Sequence, residues 1–99
     1  MKIVAVTACP TGIAHTYMAA EQIEKTAKAL GHDVKVETQG SMGIENELSA
    51  AEIKAADCVL FAVDIEVEQR ERFAGKSIVE VPVAEVIKNP KAVFARLVT

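Results

Sequence analysis

The sequence predicts an α/β fold, a small open sheet of four parallel strands with helices on both faces. Strand-like and helix-like segments alternate along the 99 residues. Two of the strand segments, Lys2–Thr7 and Cys58–Val63, are almost wholly apolar, as is typical of strands that are buried on both faces. Strands separated by helices imply right-handed crossovers, and therefore parallel neighbours.

The first helix is predicted to run from Gly12 or Ile13 to Leu30 and to end at Gly31, a residue suited to the position after a helix. Charged residues at i,i+4 spacing support it. Apolar residues recur every three or four positions, and we expect this stripe to face the core: Ile13, Tyr17, Ala20, Ile23, Ala27 and Leu30.

The second strand, Asp33–Gln39, alternates apolar and polar residues, which predicts a sheet edge. Residues 40–47 contain two glycines and read as a long loop. Ser49 and Glu52 have the spacing of a capping box, which predicts a short helix to about Ala56.

The last third of the chain predicts a charged helical turn, a fourth strand and two short helices. These are Glu66–Arg72, Ser77–Val81, Val83–Lys88 and Lys91–Leu97, the last two separated by Asn89 and Pro90. With the second strand at an edge, the predicted strand order is 2-1-3-4. The loops after the first and third strands then meet at the carboxyl end of the sheet, where open α/β sheets bind ligands.

Composition limits the function classes. The chain is 51% hydrophobic and 25% charged, which predicts one globular domain over residues 1–99. A net charge of −3 without a basic cluster argues against nucleic-acid binding. The longest apolar run has six residues, too few to span a membrane. Two widely separated cysteines predict free thiols in the cytoplasm, with no metal or cofactor site.

Cys9 is the leading candidate for a working residue. It stands where the first strand ends and the first helix is about to begin, in the segment Ala8-Cys9-Pro10-Thr11-Gly12. Backbone N–H groups and the positive end of a helix dipole activate a thiol and bind tetrahedral oxyanions. This arrangement suits the transfer of a phosphoryl group onto sulfur. We expect the loop to lie at the surface.

The other candidates carry weaker signals. His15 is either an idle surface histidine or a donor that favours the thiolate. Asp64, at the end of the third strand, either borders the loop, merely caps the next helix or simply ends the strand. Cys58 reads as inert core, and the charged run Glu66–Arg72 as a solvated helix face.

Three segments resemble the fructose-type enzyme IIB of the bacterial sugar phosphotransferase system. The first and most specific is VAVTACPTGIAHTYMAAE, residues 4–21; VETQGS, residues 36–41, and AVDIEV, residues 62–67, follow. The resemblance extends to about Gly75.

The resemblance implies a mechanism in which Cys9 accepts a phosphoryl group from a phosphohistidine of enzyme IIA. Cys9 then donates it to a sugar, fructose or a related hexose, that enters through the membrane component, enzyme IIC. The phosphate-binding loop would comprise Pro10, Thr11, Gly12, Ile13, Ala14, His15 and Thr16. The protein would act in the cytoplasm, at the inner face of the membrane. No role follows for Glu37 or Ser41.

Two other function classes remain open at this point. A cysteine-dependent phosphatase or arsenate-reductase-like enzyme uses a similar loop, but has arginine where this chain has His15, with five residues between it and the cysteine. Without the arginine fork, transfer of the phosphoryl group to water is poorly supported. The other class is a regulatory binding module whose sulfur is never phosphorylated.

Overall fold

The computed structural model of the chain describes residues 1–9, 13–40 and 43–97, with only the backbone described at residues 13 and 14. Five strands and four α-helices follow one another along these residues. The strands are β1 Lys2–Ala8, β2 Asp33–Gly40, β3 Gly43–Glu45, β4 Cys58–Val63 and β5 Ile78–Val81. The helices are α1 Ile13–Ala29, α2 Ala50–Ala55, α3 Val83–Lys88 and α4 Pro90–Leu97, with a 3₁₀ helix at Arg70–Phe73.

The predicted sheet of four parallel strands in the order 2-1-3-4 is wrong. The sheet is mixed and has five strands in the order β3-β2-β1-β4-β5. Strands β2, β1, β4 and β5 are parallel, whereas β3 returns antiparallel to β2, with Gly40 opposite Gly43. Gly43 has a φ of 87°, a conformation that glycine adopts readily. The segment read as a loop therefore forms a short edge strand, and β2 is not an edge.

Helices cover both faces of the sheet, as predicted. Alternate residues of β1 enter different cores, because successive side chains of a strand point to opposite faces. Ile3 and Ala5 pack with α1, α3 and α4. Val4 and Val6 pack on the other face with α2 and the 3₁₀ helix.

The predicted core-facing stripe of α1 is right at Ile23 and Ala27, which are buried, and at Ala20, which packs against the core, but wrong at Tyr17 and Leu30. Tyr17 and Leu30 are 43% and 48% exposed, whereas the buried positions are Thr16, Ala19, Ile23, Thr26 and Ala27. Two of these buried positions are threonines, which a count of apolar residues does not register. The helix ends at Ala29, and Gly31, with a φ of 79°, follows it as predicted.

The carboxyl-terminal third differs mainly at the charged turn. The helix predicted over Glu66–Arg72 is a single 3₁₀ turn over Arg70–Phe73. Gln69 before it has a left-handed backbone, with φ 58° and ψ 38°, which prevents a continuous helix. Strand β5 begins one residue later than predicted, α3 has the predicted bounds, and α4 begins at Pro90.

The predicted capping box at α2 is present. Ser49 Oγ accepts a hydrogen bond from the Glu52 N–H (3.1 Å), and Glu52 Oε1 accepts one from the Ser49 N–H (2.9 Å). Lys35 Nζ also donates to Glu52 (2.9 Å). The pKa of Glu52 falls to about 2, mainly because of the hydrogen bond from Lys35 and also because of the one from Ser49.

Replacing Ser49 with alanine should therefore lower the free energy of unfolding by about 1 kcal/mol, because an N–H at the helix start loses its acceptor. Urea denaturation measures this change. Ser77→Ala, at an exposed position before β5, is the matched control and should change stability by less than about 0.5 kcal/mol. Equal losses in the two variants would show that the cap contributes nothing specific.

Candidate active site at the ends of β1 and β4

The structure brings Cys9 and Asp64 together at the carboxyl end of the sheet. Ala8 and Val63, the last residues of β1 and β4, are paired across the two central strands. The Asp64 N–H extends this pairing by donating to the Ala8 carbonyl oxygen (2.9 Å). The side chains of the next residues then meet, with the Cys9 thiol donating to Asp64 Oδ2 at an S···O distance of 3.5 Å.

The Cys9 thiol is buried rather than at the surface. Only 5% of the residue is exposed, and it belongs to the core on the α1 face of the sheet. Pro10, Thr11 and Gly12 lie outside the described residues, and Ile13 and Ala14 are described by backbone alone. Their predicted role in holding phosphate therefore stays a prediction.

Asp64 is held at both of its carboxylate oxygens. While Oδ2 accepts from the Cys9 thiol, Oδ1 accepts from the N–H of Val83, the first residue of α3 (3.2 Å). The side chain therefore joins the end of β1 to the start of α3. Asp64 thus lies beside Cys9, and the helix whose N–H it accepts is α3 rather than the turn that directly follows β4, which the cap interpretation predicted.

His15 and Thr16 lie on the first turn of α1. His15 is exposed, while Thr16 is buried and 3% exposed. Thr7 Oγ1 donates to the Thr16 carbonyl oxygen (3.4 Å), which connects this turn to β1. The Thr16 hydroxyl is buried without a hydrogen-bond partner among the described residues. Leaving such a group unsatisfied costs about 1–3 kcal/mol, and a bound oxyanion is one kind of group that can supply a partner.

A groove between α1 and α3 leads to this site. Its volume is about 400 Å³. It is lined by His15, Met18, Asp64, Val83, Ala84 and Ile87. Asp64 thus lies between the buried thiol and an open approach from solvent.

Cys58 lies at the opposite end of the sheet. It pairs with Ile3 at the start of the central strands and is 5% exposed. Burial, with a smaller contribution from Asp57, raises the pKa of its thiol. A buried, protonated thiol is unreactive, which agrees with the prediction of a core cysteine.

A buried ion pair that the sequence analysis did not predict holds the segment after β4 against β2. Arg72 donates from both terminal nitrogens to the two carboxylate oxygens of Glu37, each at 2.9 Å. The Glu37 carboxylate is fully buried, and only 16% of the Arg72 side chain is exposed. Arg72 is therefore not part of a solvated helix face. The sequence offered one signal for this pair, because Glu37 follows the apolar Val36 within a predicted strand. A carboxylate that is buried there needs a charged or hydrogen-bonding partner.

Neutral groups complete the environment of this pair. The Leu48 N–H and Gln39 Nε2 donate to Glu37 at 2.8 and 2.7 Å, and Gln39 also bonds to the backbone of Glu68. Burial alone raises the pKa of Glu37, but the hydrogen bonds from Arg72, Leu48 and Gln39 outweigh it and lower the pKa below its ordinary value of 4.5. Glu37 and Gln39, in the second of the resembling segments, thus have a structural role.

Within the described part of the chain, no group of histidine, cysteine, aspartate or glutamate residues could hold a metal ion. Nor is any helix there long and apolar enough to cross a bilayer.

Comparison with known proteins identifies the class to which this fold and site belong. Residues 4–96 match the family described as "PTS system, Lactose/Cellobiose specific IIB subunit". The chain belongs to this family of IIB components of the sugar phosphotransferase system, and specifically to the fructose-like IIB components.

Individual relatives support this assignment. "PTS system fructose-like EIIB component 2" of Escherichia coli (strain K12) is 54% identical over 97% of this chain and 91% of its own length. The "PTS system fructose-specific EIIABC component" of Bacillus subtilis (strain 168) is 50% identical over 95 residues, 96% of this chain but 15% of the relative.

A solved structure shows the same fold. The crystal structure of a domain from a fructose-specific IIABC component of Borrelia burgdorferi has a TM-score of 0.91 and 49% identity, covering 96% of this chain and 90% of that one.

Proposed function

We propose that this IIB component is a phosphoryl carrier whose acceptor is Cys9. The donor is a phosphohistidine of an enzyme IIA, and the recipient is a sugar carried by a membrane enzyme IIC. The observation that supports this most directly is the position of the thiol, at the carboxyl end of the central strand β1 and in contact with Asp64 (3.5 Å).

Transfer to sulfur needs positioning and charge stabilisation more than bond-making groups from the protein. In the proposed reaction the P–N bond of the donor breaks and an S–P bond forms at Cys9. Backbone N–H groups from Thr11 to Thr16 would cradle the phosphoryl oxygens, since Pro10 has no N–H to donate. The buried Thr16 hydroxyl, which has no partner among the described residues, adds a possible hydrogen bond.

The names of the relatives support a proposal for the sugar and the location. Several have fructose in their names, and others, such as one in Escherichia coli and one in Bacillus subtilis, are named as EIIBC or EIIABC components. We propose fructose or a related hexose as the sugar, and the cytoplasmic face of the membrane, beside an enzyme IIC, as the place of action.

Intact-protein mass spectrometry tests this function. After incubation with a phosphohistidine-charged fructose-type enzyme IIA and no sugar, the wild-type protein should gain one phosphoryl group, about 80 Da. The added mass should be released by iodine, as expected for phosphate on sulfur, and be absent from Cys9→Ala. No gain together with hydrolysis of p-nitrophenyl phosphate would indicate a phosphatase instead. Neither gain nor hydrolysis would indicate a binding module.

A further inference from the structure

We propose that Asp64 is the proton acceptor for the Cys9 thiol during phosphoryl transfer. This inference rests on the proposed function and adds a catalytic residue to it. The carboxylate oxygen Oδ2 lies 3.5 Å from Cys9 Sγ and accepts the hydrogen bond of the thiol. It is therefore in direct contact with the atom that must lose a proton when the S–P bond forms.

The fold holds this contact in place from two sides. Asp64 directly follows β4, and its backbone N–H is bonded to Ala8, the residue before Cys9 (2.9 Å). Its other carboxylate oxygen is occupied by the Val83 N–H (3.2 Å). One oxygen anchors the side chain and the second is directed at sulfur, which is the division of roles that a positioned base requires.

Among the described residues that line the groove, few other proton acceptors are present. Cys9 is 5% exposed, so direct loss of its proton to bulk water is restricted. The described lining of the α1–α3 groove contains two titratable side chains, Asp64 and the exposed His15, and α3 contributes only apolar residues. Glu66, farther along the same loop, faces Arg70 at 3.9 Å.

The proton and electrons balance in the proposed step. Sulfur attacks phosphorus, the thiol proton moves to Asp64 Oδ2, and the electron pair of the P–N bond stays on the imidazole nitrogen of the donor. Because sulfur becomes less basic as the S–P bond forms, the carboxylate can take the proton in the same step. The resulting neutral carboxyl group does not repel the phosphoryl oxygens as a carboxylate would.

The pH dependence of phosphoryl acceptance tests this role. Asp64→Asn keeps an oxygen for the Val83 N–H but removes the base. Without the base the reaction needs a free thiolate, which becomes scarcer as the pH falls. Single-turnover rates from the charged enzyme IIA should fall about 100-fold relative to wild type at pH 6.5, and this loss should shrink steadily as the pH is raised to 8.5.

Matched variants separate the base from the helix cap. Asp64→Glu keeps a carboxylate and should retain the wild-type pH profile at a rate within about tenfold of wild type. Asp64→Ser also keeps an oxygen that can accept from the Val83 N–H but has no base. If Asp64→Asn does not fold, Asp64→Ser should show the pH profile that is expected for Asp64→Asn. Glu66 lies two residues away and pairs with Arg70. Glu66→Gln should therefore leave both the rate and the pH profile of phosphoryl acceptance unchanged.

Two results would overturn the inference in distinguishable ways. If wild type is phosphorylated on Cys9 but the ratio of wild-type to Asp64→Asn rates does not change with pH, Asp64 is only a cap for α3 and the proposed function stands. If wild type is never phosphorylated, the proposed function fails and the role of Asp64 fails with it.

Discussion

Replacing Cys9 with serine should reduce phosphoryl acceptance by a factor on the order of a thousand or more, because a serine hydroxyl is scarcely ionised where a thiol forms the reactive thiolate. Serine has nearly the same shape, so the variant should fold. The rate of mass gain from a charged enzyme IIA measures the loss, and circular dichroism checks the fold. A Cys9→Ser protein that still passes phosphate to sugar would exclude this residue as the acceptor.

Cys58→Ser is the matched control, because the chain offers a second buried cysteine at the other end of the same strands. It should lower the free energy of unfolding by about 1–3 kcal/mol, since a hydroxyl in an apolar core lacks a partner. Transfer should be unaffected. Loss of transfer in a folded Cys58→Ser protein would mean that the acceptor has been assigned to the wrong thiol.

The second substitution with a large expected effect is Arg72→Met, which should lower the free energy of unfolding by about 3–5 kcal/mol. The substitution keeps an apolar stem but leaves the fully buried Glu37 carboxylate without its charged partner. Urea denaturation at pH 7 measures the loss. Arg70→Met is the matched control, because Arg70 pairs with Glu80 at 3.1 Å with both side chains about half exposed. It should cost no more than about 1 kcal/mol.

The loss in Arg72→Met should shrink as the pH falls. In wild type the pKa of Glu37 lies below 4.5, so the stability that this carboxylate contributes is complete above pH 4.5 and declines as the pH falls through its folded pKa. In Arg72→Met the Glu37 carboxyl group is buried without the arginine, and burial favours its protonated form. Stability measured from pH 7 to pH 3.5 should therefore converge for the two proteins; a constant difference would show that the loss comes from packing alone.

Local patterns were sufficient to predict the elements whose signals lie within a few residues. The bounds of β4 and α3 and the capping box at Ser49 and Glu52 match the prediction. Parallel strands also imply that the loops after β1 and β4 meet, and Cys9 and Asp64 do meet there. These predictions succeed because periodicity, caps and topology depend on short stretches or on general rules of chain connection.

Features that depend on distant residues were not predictable in this way. Strand β3 has three residues, too few to show alternation, and it forms because β2 offers it an unpaired edge. The buried side of α1 includes Thr16 and Thr26, whose burial depends on contacts with the sheet and not on their own polarity, while Tyr17 lies outside the core. The pairing of Glu37 with Arg72 joins residues 35 positions apart.

The sequence by itself determined an α/β fold with a thiol, Cys9, at the junction of its first strand and helix. Only the tertiary structure decided what surrounds that thiol: a carboxylate at 3.5 Å, anchored by the N–H of Val83, and a buried ion pair that holds the following segment against β2. The physical reason is that local backbone preferences depend on neighbouring residues, whereas the charge and burial of a side chain depend on groups that folding brings from elsewhere in the chain.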